Sequence, residues 1–357
     1  MFGALTICYL FFGGAGAGTL LVASVVDLAW AKEPFGASAT GSSADSARPL
    51  RRIVARAFLA GFLAVAFGVL CLLFDLGRID RVEALFLSPT ATYLTLGSFA
   101  LAALLACSAF LVIARFFYLP DVGRRAVVAF EVAAVVLSLV VAAYTGMLLS
   151  SLQAVAFWDT PLVPVLFTLS SLSSGCAALL VLALAAEGDD GGTARVVGRL
   201  ARIDLALIAI EAVCAAAFAL LALGSAQSSE AQAASRLFAG AGNLALVWWV
   251  GFVGCGLVAP FALECAAEAA SRRRGRRSQQ VMALAGAFVL VGAFCLRLGI
   301  VDAGAHRELA LEDPLEAAAA LDVGEALQDV GRDVQPVLDA PFDVAPAAAD
   351  ARGWGES

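Results

Sequence analysis

One histidine, His306, occurs in 357 residues. It lies beyond the last apolar segment, which excludes bis-histidine haem ligation within those segments. The eight cysteines (Cys8, Cys71, Cys107, Cys176, Cys214, Cys255, Cys265, Cys295) never stand as CxxC, so no iron–sulfur cluster of this protein's own is built on the usual spacing. Scattered in this way, they read as small core residues. There is no Walker loop, no GxGxxG opening a βα unit and no HExxH, which removes the phosphate-cradling, dinucleotide and zinc-peptidase chemistries those patterns serve. Charge is scarce as well: only 15% of residues are Asp, Glu, Lys or Arg.

What fills the sequence is apolar. It is 61% hydrophobic, with a mean hydropathy of +0.90. A hydrocarbon core of about 30 Å takes about 20 helical residues to cross. Apolar runs of that order recur eight times, over approximately 6–30, 53–75, 92–116, 127–150, 162–186, 202–224, 243–266 and 281–301. The expected fold class is an all-α membrane protein of eight transmembrane helices, arranged as two packed four-helix bundles. Its surroundings are the lipid bilayer, and nothing calls for nucleic acid. The run RRRGRR at 272–277 is a topology anchor with affinity for anionic lipid.

The cations set the expected orientation. Sixteen of the 23 Lys and Arg fall on the first, third, fifth and seventh loops, including Lys32, Arg48, Arg115, Arg124, Arg195 and Arg272. The positive-inside rule makes those loops cytoplasmic and puts both termini outside. Without a basic n-region, the first segment reads as a retained helix and not a cleaved signal. Residues 1–304 form the membrane domain. Residues 305–357 form an acidic external tail, helical around 307–330 and disordered later.

Polar residues inside such a sequence must find partners within the bundle. The stretch Tyr144 to Gly175 concentrates them: Tyr144 and Thr145 close one segment, and Ser170, Ser171, Ser173 and Ser174 interrupt the next. Between the two lies a short loop with Phe157, Trp158 and Pro161, suited to a membrane–water interface. The first helix carries Gly13, Gly14, Gly16 and Gly18. These serve either close helix packing or a flat ligand laid against bare backbone, with Tyr9 as a polar contact for that ligand. Asp75 and Arg78, three apart at the outer end of the second helix, share a face and can pair. Glu131, Asp204 and Glu211 are intramembrane carboxylates and hence candidates for proton transfer, together with Asp75, Arg78 and Arg297.

The segments YLFFGGAGAG, FDLGR with SPTATYLTLGS, YTGMLLS…FW…PLVPVLF…SSLSSG, GLVAPFALE and LRLGIVDAG follow one another as they do in the NrfD/PsrC family, the membrane subunits of polysulfide-reductase-type complex iron–sulfur molybdoenzymes. The resemblance covers residues 6–304. It implies a menaquinone- or menaquinol-reactive subunit of the cytoplasmic membrane, acting in anaerobic respiration and without haem or cluster of its own. Electrons would pass to or from a ferredoxin-like [4Fe–4S] subunit and a molybdopterin catalytic subunit, both on the outer face. It further implies that Tyr144 contacts the quinone. The helix-one Asn and His of such relatives are absent here around Leu5 and Cys8, which leaves Thr6 or Tyr9 to meet the second quinone oxygen, beside Gly13 and Gly16. Two other classes fit parts of the pattern: a secondary transporter using Asp204, Glu211 and the broken helix at Pro260, and a passive anchor for catalytic subunits.

Overall fold

The computed structural model describes residues 4–30, 42–76, 93–117, 123–152, 155, 157–184, 191–225, 228–240, 242–269 and 276–305. All of them belong to the unit 1–307. The acidic tail beyond Ala305, with His306, lies outside the described residues, as do Arg78 and the first three arginines of RRRGRR.

An apolar sequence in a bilayer has no water to satisfy its peptide groups, so it folds as helices that bond internally. They are α1 (Ala4–Trp30), α2 (Ser42–Leu76), α3 (Tyr93–Phe116), α4 (Arg124–Ser150), α5 (Leu162–Leu184), α6 (Gly191–Leu223), a short amphipathic α7 (Ser228–Phe238), α8 (243–269) and α9 (Arg276–Ala305). Eight of these described helices are long and apolar enough to cross a membrane: this is a multi-pass membrane protein. Their bounds follow the hydropathy reading, except that the sixth span starts at Ala194, well before the expected residue 202. Helical bonding there continues through Arg195, Arg199 and Arg202, side chains long enough to carry their charge away from hydrocarbon.

Helix α1 packs on α2, α4 and α5; α3 packs on α2 and α4. Helix α5 also touches α6 and α9, and α8 lies against α9 and α6. The share of buried residues identifies the centre: 72% of the span in α1, 61% in α5 and 56% in α9, against 28–33% in the others. The outer helices turn Leu63, Phe67, Val136, Ile210 and Val250 outward, as a lipid-facing surface requires.

Small residues set how closely α1 approaches its neighbours. A Cβ on Gly16 would meet Val65 and Ala64 of α2, and Gly68 abuts the backbone of Gly13. With Gly61 against Leu20 and Thr6 bonded to Asp75, these contacts form one antiparallel seam. On α5 the approach is closer still. A Cβ at Gly18 would overlap the carbonyl of Ser171, and one at Gly175 the carbonyl of Gly18.

Helix α8 is irregular. Asn243–Leu246 is an α-turn, Val247–Val258 is a π-helix and Ala259–Ala269 is α again. The π stretch ends with the N–H of Ala259 on the carbonyl of Gly254, just before Pro260, which has no N–H to give. Gly256 meets Gly292 of α9 backbone to backbone along this stretch.

Candidate functional site

Two phenols face each other where α1 meets α4. Tyr9 and Tyr144 are both buried. Their hydroxyls act on one another, yet neither makes a hydrogen bond of acceptable geometry. Glycines make the space. A Cβ on Gly97 of α3 would overlap the ring of Tyr144, and the ring of Tyr9 lies over Gly13. One turn along α1 from Tyr9, the Thr6 hydroxyl donates to Asp75 Oδ2 at 2.9 Å, so the start of α1 is tied to the exposed end of α2. An orphaned buried hydroxyl costs about 1–3 kcal/mol. A pair of them side by side is a candidate place for a ligand's polar atoms. Of the residues expected to line a quinone pocket, Thr6, Tyr9, Gly13 and Tyr144 gather here. Gly16 serves the contact with α2.

Arg297 forms a second centre on another face of α1. It is fully buried in α9 and makes five bonds: Nε to Leu10 O (3.1 Å), Nη1 to Ala293 O (2.9 Å) and Ser170 Oγ (3.2 Å), Nη2 to Ser171 Oγ (2.9 Å) and Phe167 O (3.5 Å). Gly14 of α1 leaves room for the guanidinium, and the rings of Phe11 and Phe167 lie 5.9 and 5.3 Å from it. Glu211 of α6 lies within electrostatic reach of the guanidinium and of Ser170, with no direct ion pair between the two charges among the described residues. Ser170 and Ser171 of SSLSSG are therefore placed as partners of an ionisable group, whereas Ser174 donates to Ser170 O.

The next step along the same two helices repeats the pattern. Ser173 donates to Asp204 Oδ1 at 2.6 Å, and across from Asp204 stands Glu264 of α8. Asp204 and Glu264 are 0% and 3% exposed. A further cluster ties the other ends of α1, α3 and α4 together. Arg115 is ion-paired with both Asp27 and Glu131 and lies 5.8 Å from the Phe58 ring.

Glu264, Asp27 and Arg115 escaped the sequence reading. Glu264 stands inside the GLVAPFALE segment, one turn past Pro260, and the signal was a carboxylate on an otherwise apolar helix end. Asp27 sits likewise at the end of an apolar run, and Arg115 counted only towards orientation. Trp158, in the loop between α4 and α5, is buried, with Nε1 donating to Ile300 O at 2.9 Å and its indole filling the space over Gly304. Among the described residues no group of three or more His, Cys, Asp or Glu is placed to hold a metal ion.

Comparison with known proteins agrees with this architecture. The family model described as "Polysulphide reductase, NrfD" matches residues 1–307. The C subunit of polysulfide reductase from Wolinella succinogenes is 27% identical over 310 residues, which is 83% of this protein and 92% of that one. Protein NrfD of Escherichia coli is 34% identical over 177 residues, covering 49% of this sequence and 52% of the relative. An NrfD homolog of Haemophilus influenzae is 30% identical over 184 residues, 51% and 54% of the two sequences. With the family model spanning all eight transmembrane helices, the protein belongs to the NrfD family of polysulphide-reductase-type membrane proteins.

Proposed function

We propose that the protein is the quinone- or quinol-reactive membrane subunit of a redox complex. In this reading it passes electrons between a menaquinone pool and an iron–sulfur partner subunit of a molybdopterin oxidoreductase. Family membership supports the class of protein, and the name of the Wolinella relative supports a multi-subunit reductase. The observation that carries the site is the pair of buried phenols, Tyr9 and Tyr144, whose hydroxyls lack hydrogen bonds of acceptable geometry.

A quinone, when bound, supplies reversible uptake of electrons and protons at its two oxygens. The protein's own residues supply the rest. Tyr144 and Tyr9 would be the donors to the quinone's oxygens, and Gly97 and Gly13 make room for their rings. Thr6 and Asp75 give that end a carboxylate that opens to solvent, where a proton can leave or enter. The apolar walls exclude water, which strengthens each hydrogen bond inside. From the opposite side, Asp204 with Ser173 and Glu211 with Ser170 and Arg297 mark a line of ionisable groups through α5, α6 and α9 suited to proton transfer. Glu131, held by Arg115, is a third candidate near the odd-numbered loops. The helix contacts favour α1–α4 as one four-helix bundle and α5, α6, α8 and α9 as the other. Charge argues for both termini, the acidic tail 305–357 and the partner subunits on the outer side of a cytoplasmic membrane.

The test is a ratio. Tyr144→Phe removes one hydrogen bond and little volume. Quinol-linked activity of the complete complex should fall about tenfold to a hundredfold, corresponding to about 1–3 kcal/mol. Dye-linked activity of the catalytic and iron–sulfur subunits should stay unchanged. A ratio equal to wild type would make Tyr144 a packing residue.

A further inference from the structure

We propose that Asp204 and Glu264 together form a proton-binding site that holds one exchangeable proton between their two carboxyl groups. The two side chains come from α6 and α8 and are both buried. They interact directly. Ser173 satisfies one oxygen of Asp204, but Asp204 Oδ2 and both oxygens of Glu264 have no hydrogen-bond partner.

Ionised carboxylates are acceptors only, so two of them facing each other offer no donor to those three oxygens. Side by side in a low dielectric they also repel. One proton eases both difficulties: shared between Asp204 Oδ2 and one oxygen of Glu264 it satisfies two of the three, and it leaves a single negative charge spread over the pair. The groups facing the pair do not change this. From α5 come the Ser173 hydroxyl and the Cys176 thiol, and along α6 stands Glu211, another carboxylate. The guanidinium of Arg297 is bonded instead to Ser170 and Ser171, three and two residues before Ser173.

The site's position gives it a use. Glu264 lies three residues from the end of the α8 span at Ala267, on the side of the arginine-rich seventh loop. Asp204 and Glu211 are two turns apart on one face of α6, about 10.5 Å in rise. Ser173, bonded to Asp204, and Ser170, bonded to Arg297, stand between them on α5, one turn apart. A proton taken up by the pair is thus one turn of α5 from the serine that Arg297 holds and two turns of α6 from Glu211. This use rests on the quinone reading above; the shared proton itself does not.

Infrared difference spectroscopy of the full-length protein in lipid nanodiscs tests the site without quinone or partner subunits, so its outcome is separate from the Tyr144 ratio. Wild-type protein in choline buffer should show a protonated-carboxyl C=O band that shifts in D2O. The double substitution Asp204→Asn with Glu264→Gln should lose the intensity of one carboxyl, and each single substitution should move or abolish the band. Ser173→Ala should shift the band and keep its intensity, a readout available even where a carboxyl variant fails to assemble. A wild-type band that is absent, or worth two carboxyls, overturns the proposal. Loss of the band on exchanging choline for sodium also overturns it, in favour of a cation site.

Discussion

Arg297 is the most heavily bonded side chain among the described residues, and its removal can be worked through from the contacts. Arg297→Met keeps most of the volume and deletes all five donated bonds. Three acceptors, Leu10 O, Phe167 O and Ala293 O, are helical carbonyls with main-chain bonds of their own, and Ser171 Oγ still donates to Phe167 O at 2.7 Å. The loss therefore falls on Glu211, which keeps only Ser170 in a buried setting. Breaking a contacting buried pair costs about 3–5 kcal/mol; here the charges are near but not in contact and Glu211 can take up a proton, so the cost is about 3 kcal/mol at most. Glu211→Gln leaves the guanidinium without its counter-charge and should cost about 2–3 kcal/mol. In the double variant neither charge remains, so the loss should stay near about 3 kcal/mol, a coupling of about 2 kcal/mol. Detergent-titrated unfolding in mixed micelles measures all four corners of the cycle. Additivity of the two single losses within about 0.5 kcal/mol would refute the pairing.

Gly18→Ala and Gly175→Ala each drive a Cβ into facing backbone, which no rotamer relieves, and should lower folded yield severely; Gly198→Ala, with open space around it, should be neutral or slightly stabilising. Reporter fusions after Arg277 and after Ala305 should report cytoplasm and exterior respectively, and the opposite pattern would invert the site's sidedness. Trp158→Phe removes the bond to Ile300 O and should cost about 1 kcal/mol, read as lower stability with unchanged dye-linked activity.

The eight spans were legible because hydrocarbon imposes one requirement, a sustained apolar run, which a window of sequence reports directly. Tyr144 and the serines of SSLSSG stood out because hydroxyls in such a run need partners. Which partners they have was not legible. Gly97 reads as a generic small residue, and only the fold shows that the ring of Tyr144 takes the space. Glu264 and Asp204 are far apart in sequence, and nothing local to either announces the other. Arg115 has the composition of a loop anchor, but the length of α3 places it between Asp27 and Glu131. The π stretch of α8 had one trace, the glycines that precede Pro260, and the amphipathic α7 was hidden by its short length. Helix-end carboxylates were the common blind spot, since at an interface they cost little and carry no signal until a neighbouring helix buries them.

Equilibrium binding of a naphthoquinone to the purified protein in nanodiscs, followed by tryptophan quenching, tests the central claim most directly. Wild type should bind saturably at one site, and Tyr144→Phe should raise Kd about tenfold, the equivalent of about 1.4 kcal/mol. Gly97→Ala, which pushes the Tyr144 ring out of its place, should weaken binding at least as much. Equal affinity across wild type and both variants would contradict a quinone held by the two buried phenols.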